Sequence, residues 1–344
     1  MVTCTGYYKI LWETAMKTRM TELFGIKHPI MCGGMMWLAK PELCAAISNA
    51  GGLGNLTAGN YGSGDELNRA IDETRKLTDK PFCVNITLLP SVRIDKEMHH
   101  NYFQACCEKR VAAIEISGAP LDRYLGPDAI KQAGKAGVRL IHKVGSVRHA
   151  RHAEEAGYDA VIAAGFEEGG HPLNEDVTTM LLTPRISESV KIPVITAGGI
   201  ADGRSLAAAL VLGADGVMMA SRFIATKECT AHPKIKEEII RRQENDTTLI
   251  CTTIDLQMRA LKNGLVGKVL EVEKRHGGLE EILPLISGQR SEKALENGDV
   301  NDAPFAVGQS IGLIKEIVSC KELLETMVRK AERILTRTQS RFQN

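Results

Sequence analysis

The stretch PVITAGGIADGRSLAAALVLGADGVMMASRF, Pro193 to Phe223, decides the fold. It opens with a short, continuous apolar run, Pro193 to Ala197, that ends in Gly198-Gly199. A helical pattern follows, DGRSLAAALVLGA, and then a second apolar run, Val217 to Ser221. Runs that are apolar throughout, rather than alternating, fit parallel strands buried on both faces.

The same punctuation recurs outward from this stretch. Helix, glycine, then strand appears in NAGGLG, KAGVRL and EAGYDAV. Further runs lie around Met31 and at Leu53–Ala58, Phe82–Leu89, Ala112–Ser117, Val138–Val144 and Ala160–Ala164. That makes eight. PELCAAISNAG and SVRHARHAEEAG read as intervening helices that end in glycine, the second opened by a serine cap. Eight such units predict an α/β fold, a closed (β/α)8 TIM barrel rather than an open doubly wound sheet. A barrel puts its active groups at the C-terminal ends of the strands.

The chain has 344 residues, enough for a barrel of roughly 250 residues plus an insertion. After Phe223 the pattern turns polar and irregular. Residues 226–305 read as a mostly helical insertion after the eighth strand, expected over the C-terminal face, where it would shape the substrate pocket. Phe305 to Thr336 reads as one long amphipathic helix closing a barrel made of residues 20–225 and 306–344. Residues 1–19 read as a loose extension without signal-peptide features.

Composition narrows the function classes. A net charge of +1 leaves no footprint for nucleic acid or an acidic membrane surface. No apolar stretch reaches the ~18 residues of a membrane span. Nine scattered cysteines form no CxxC pair and no zinc-like cluster with histidine. They read mostly as small core residues in a reducing, cytoplasmic setting, and no metal is expected.

The strand ends carry the chemistry. Gly198-Gly199 after the seventh strand and Met219-Ala220-Ser221 at the eighth let backbone N–H groups face an anion, a frequent phosphate site in barrels. There is neither a GxGxxG at a first βα turn nor a GxxxxGK[ST]. The first strand ends in Gly33-Gly34-Met35-Met36, where glycine permits close approach to a flat ring. The third carries Asn85 and the fifth His142-Lys143. His142 reads as a second polar group in the site, whereas His99-His100 and His149/His152 read as solvated helix positions. The sixth strand delivers GFEEGGHP, with Gly169 and Gly170 letting the chain pass a ligand and His171 at the barrel mouth. His171 is the candidate catalytic residue: base, proton donor, or partner to an anionic substrate.

Taken together, HPIMCGGMMW, KPFCVNITLL, GFEEGGHP, ITAGGIADGR and ASRFIATKE resemble the nitronate monooxygenase (2-nitropropane dioxygenase) family. IHKVGSVRHA, SRFIATKEC and LISGQR resemble its NADH:quinone reductase branch. The resemblance runs from about Thr18 to the last helix. It implies a barrel that binds FMN noncovalently. Flavin ring contacts would fall on Gly34, Met35, Asn85 and Lys143, and phosphate contacts on Gly198, Gly199, Ala220 and Ser221. Met219, Gly169 and Gly170 would border the cofactor, with Gln309 near the ring. Two positions depart from the family: Ala164, where members often carry Gln, Glu or Asp, and Ala220-Ser221 in place of Gly-Thr.

The activity that the resemblance implies is FMN-dependent oxidation of an alkyl nitronate with O2 to a carbonyl compound and nitrite. An NAD(P)H:quinone reductase is the alternative, and an enoyl-acyl-carrier-protein reductase comes third. The expected partners are small molecules, with the chain working alone or as a homodimer.

Overall fold

The structure is a computed structural model describing residues 16–341 apart from positions 92, 174 and 255. Most of the expected N-terminal extension, residues 1–15, lies outside the described residues. Eight parallel strands form the sheet: β1 Ile30–Cys32, β2 Gly54–Thr57, β3 Phe82–Leu88, β4 Ala113–Gly118, β5 Arg139–Val144, β6 Ala160–Ala164, β7 Val194–Ala197 and β8 Gly216–Met219. Each pairs with its neighbour in chain order, and β1 pairs with β8. Cys32 N–H donates to Leu53 O at 3.0 Å and Leu53 N–H to Ile30 O at 2.9 Å, so β1 meets β2 and the barrel closes.

Side-chain alternation divides two environments. Leu53, Cys83, Ala113, Ile141, Ile162 and Ile195 pack together in the lumen. Their strand neighbours, such as Val84, Ile114, Leu140 and Val161, pack outward against the helices. The lumen face changes character along each strand. Leu53 leads to Asn55 and Thr57, Cys83 to Asn85 and Thr87, Ala113 to Glu115 and Ser117, and Ile141 to Lys143. Apolar residues fill the N-terminal end, and polar ones gather at the C-terminal end.

The N-terminal end is plugged by a short helix, Arg19–Phe24, whose Met20 and Phe24 join the lumen cluster. Thr18 caps it through a reciprocal capping box. Arg19 grips Asp215 with two bonds of 2.8 and 2.7 Å.

Two segments differ from the sequence reading. The stretch after β8 carries helices Pro233–Arg241, Gly264–Lys274, Leu279–Ile282 and Gly288–Asn297, and also an antiparallel hairpin, β9 Thr247–Ile250 and β10 Met258–Leu261. Four-residue strands are too short to show a period in an irregular segment. The closing helix is Cys320–Ser340, not the whole of Phe305–Thr336. Ser319 and Glu322 form the capping box that starts it. Upstream, the chain crosses the barrel mouth in an extended path with one 3-10 turn, Gln309–Leu313.

Candidate active site

A cleft opens where the polar lumen residues reach the C-terminal mouth. Its floor is Glu115, 1% exposed. Asn85 Nδ2 donates to this carboxylate at 2.6 Å, Ser117 Oγ at 2.5 Å and Asn55 Nδ2 at 3.4 Å. Three donors are what a buried carboxylate needs in place of water. Thr87 Oγ donates to Asn85 Oδ1 at 3.2 Å, which fixes the amide orientation. Gly34 lies directly over this amide: a Cβ there would overlap the Asn85 side chain. Glycine at 34 is therefore set by Asn85.

One wall is the Gly198-Gly199 turn. Both residues have positive φ, 93° and 71°, a region that favours glycine. The N–H groups of Gly199 and Ile200 have no protein acceptor among the described residues. Met219, Ala220 and Ser221 border the same cleft. Ser221 Oγ accepts the Gly308 N–H at 3.0 Å, leaving its own proton to donate.

The opposite wall is charged. Lys143 Nζ is 3.0 Å from the Glu168 carboxylate, and both side chains are largely buried. Burial pushes the Glu168 carboxyl upward, and the adjacent ammonium opposes that shift. Lys143 also donates to the His171 backbone oxygen at 3.4 Å. His171 is exposed on the loop after β6 and does not itself line the cleft, although protein atoms crowd around its ring. That crowding, followed by the Lys143 charge, lowers its pKa to about 4. The imidazole is thus neutral at ordinary pH.

The loop carrying His171 is strapped down by the hairpin. Gly170 and Arg259 exchange backbone bonds of 3.1 and 2.6 Å. The Arg259 guanidinium stacks on Phe166 at 4.7 Å and bonds its carbonyl oxygen, while Gln257 Nε2 donates to the Pro172 and Leu173 oxygens. The hairpin thus lies against the loop that follows β6.

The remaining candidate residues take up varied surroundings. Gly169 borders the cleft, but its missing Cβ makes room for the backbone of Val307 and Gly308. Gly308 in turn lacks a Cβ where Glu167 and Gly169 pass. Met35 is buried in the outer core, its N–H donating to Thr57 Oγ. Gln309 lies beside the cleft and donates its backbone N–H to Glu167 O at 2.9 Å. His142 faces away from the lumen because it alternates with Lys143; its ring stacks on Tyr158 at 5.2 Å. His99 is buried, bonded to Tyr124 and the Thr87 oxygen, rather than solvated. Sequence reasoning missed Glu115, Glu168 and Arg259. An acid inside the apolar run AAIEIS was the available signal for Glu115.

Comparison with known proteins decides the family. The nitronate monooxygenase model matches residues 17–330. The chain belongs to the nitronate monooxygenase family. Within it, the chain is 31% identical to a probable nitronate monooxygenase of Staphylococcus saprophyticus, over 94% of this chain and 99% of that one. It is 32% identical to a (3aS,4S,5R,7aS)-5-hydroxy-7a-methyl-1-oxo-octahydro-1H-indene-4-carboxyl-CoA dehydrogenase of Rhodococcus jostii, over 92% and 96%. The solved structure of FabK from Thermotoga maritima matches with a TM-score of 0.86 and 37% identity, over 94% and 99%. Family members are thus oxidoreductases with varied reactions. The described residues hold no cluster of three or more metal-ligating side chains, and none of their helices is long and apolar enough to cross a membrane.

Proposed function

We propose that the chain is an FMN-dependent oxidoreductase that oxidises an alkyl nitronate with O2 to a carbonyl compound and nitrite. The observation that carries this reading is the mouth itself: a glycine turn with bare N–H groups on one wall, a lysine–glutamate pair on the other, and a polar floor between them. That donor set fits FMN. Gly198, Gly199, Ala220 and Ser221 would hold its phosphate, and Gly34, Asn85 and Lys143 its ring. Met35 neighbours that set, with its side chain packed in the core. Bound FMN supplies the electron-accepting group that no protein side chain provides.

The chain's own residues do the rest. Lys143 places a positive charge beside the cleft, where an anionic substrate gains from it. Glu168 holds that ammonium in place. Neutral His171 donates a hydrogen bond to the nitro group of a nitronate. With a neutral nitroalkane, its basic nitrogen takes the proton from the α-carbon. The hairpin bonds to Gly170 and Leu173 fix the loop that carries it.

A second reading is an NAD(P)H-dependent reductase, of a quinone or of an acyl thioester. It is favoured by the 37% identity to FabK and by the relative named a carboxyl-CoA dehydrogenase. Anaerobic mixing of the yellow protein with a nitronate, NADH and NADPH in turn separates the readings. Bleaching by the nitronate supports the first; bleaching by a pyridine nucleotide alone replaces it with the second.

A further inference from the structure

Beyond Lys143, on the side away from the glycine turn, lies a second cavity. It is lined by Arg123, Lys143, Arg148, His149, His152 and Leu173, among others. We infer that this cavity binds the phosphate end of a cofactor-sized ligand whose other end reaches the cleft. The inference rests on the second reading above, the reductase, for what that other end does in the cleft.

Basic side chains enter from three elements. Arg123 lies on the short helix Leu121–Tyr124 after β4, Lys143 on β5, and Arg148, His149 and His152 on the helix Val147–Ala156. Two of them are already engaged. Lys143 is held by Glu168, and His152 Nε2 lies 3.0 Å from Asp122. Two guanidinium groups are not. Arg148 meets only the His149 ring, at 3.3 Å, and Arg123 has no side-chain partner among the described residues. Asp122, next to Arg123 in the chain, already faces His152. The Val147–Ala156 helix adds its positive end there, with Ser146 accepting the His149 N–H.

Two guanidinium groups at one cavity, each without a carboxylate partner among the described residues, are free to take an anion. Their planar forks match phosphate oxygens better than any lysine does. A ligand held there also has a route to the reacting centre. Lys143 borders both the cavity and the cleft. Leu173, two residues past His171, lines the cavity and packs against Gly145, just after β5.

The chemistry is a phosphomonoester, and two sources carry it: an adenosine 3′-phosphate in coenzyme A, or a 2′-phosphate in NADPH. Calorimetric titration of the purified protein with coenzyme A against dephospho-coenzyme A, and with NADPH against NADH, tests the inference. At least one phosphorylated ligand should bind about tenfold or more tightly than its counterpart. Arg123→Ala/Arg148→Ala should abolish that preference without changing the melting temperature or the flavin absorbance, and Arg123→Lys/Arg148→Lys should keep part of it. A preference within the first pair assigns an acyl thioester, and one within the second assigns the hydride donor. No preference in either pair, or one that survives the double alanine change, overturns the inference. Heat of binding needs neither turnover nor flavin. Colourless protein that keeps the preference would defeat the flavin reading alone, and yellow, active protein without it would defeat this inference alone.

Discussion

Lys143 Nζ lies 3.0 Å from the Glu168 carboxylate, with 13% and 8% of the two side chains exposed. The pair joins the end of β5 to the loop of His171, and its value is conditional. Two ions removed from water need each other, and removing one leaves the other buried without a counter-charge.

Lys143→Met should therefore destabilise the protein by about 3–5 kcal/mol at neutral pH. Urea denaturation reads this. Lys143→Met/Glu168→Gln should recover much of the loss, because neither partner is then left as an unpaired charge. The Glu168 carboxyl is already raised by burial. The single variant should accordingly regain stability as pH falls and that group takes up a proton. A single variant as stable as the parent would show that the pair contributes nothing.

Gly34→Ala should be harmful although the change is one methyl group. The new Cβ overlaps the Asn85 amide, which Glu115 and Thr87 hold in place. Overpacking of this kind costs about 1–3 kcal/mol. Melting temperature and flavin absorbance should both drop. Gly34→Ala/Asn85→Ala removes the overlap and should melt higher than the single change. If it does not, the contact is not the cause.

Stability should fall as the medium is acidified from pH 7 to pH 4. His28 and His142 are buried, 5% and 3% exposed, and burial lowers both to about 4. In the unfolded chain each takes a proton near 6.5. Between those values the unfolded state binds more protons, so stability drops with pH, then levels below about 4. The raised Glu168 works in the opposite direction. His142→Gln should flatten the slope of stability against pH; an unchanged slope would exclude His142 as a source.

The barrel was legible in the chain because each helix–glycine–strand unit repeats one pattern. The glycine turns were legible too, since Gly198 and Gly199 take a conformation other residues resist. Direction was harder to read. His142 and Lys143 are adjacent, and only the closed barrel shows which faces the lumen. Glu115 looked like one acid among many until its donors arrived from β2 and β3. The path of 304–319 was hidden for a related reason. Gly308 exists to let two backbones pass, a long-range requirement with no local period.

His171→Ala should lower turnover by about two orders of magnitude while flavin content stays at the parent level, because the phosphate turns lie on other strands. The parent rate should hold level from pH 8 to about 5 and fall as the imidazole is protonated near 4. Near-normal turnover in the variant at full flavin content would make His171 a bystander. Loss of flavin instead would make its role structural.

The most direct measurement is of the cofactor itself. The purified protein is denatured, the released chromophore is identified by chromatography and mass, and its amount is compared with that of the chain. We expect a yellow protein that releases FMN at about one per chain, with Gly199→Val lowering that ratio because a φ of 71° strongly favours glycine. Colourless protein that takes up no FMN on reconstitution would contradict it.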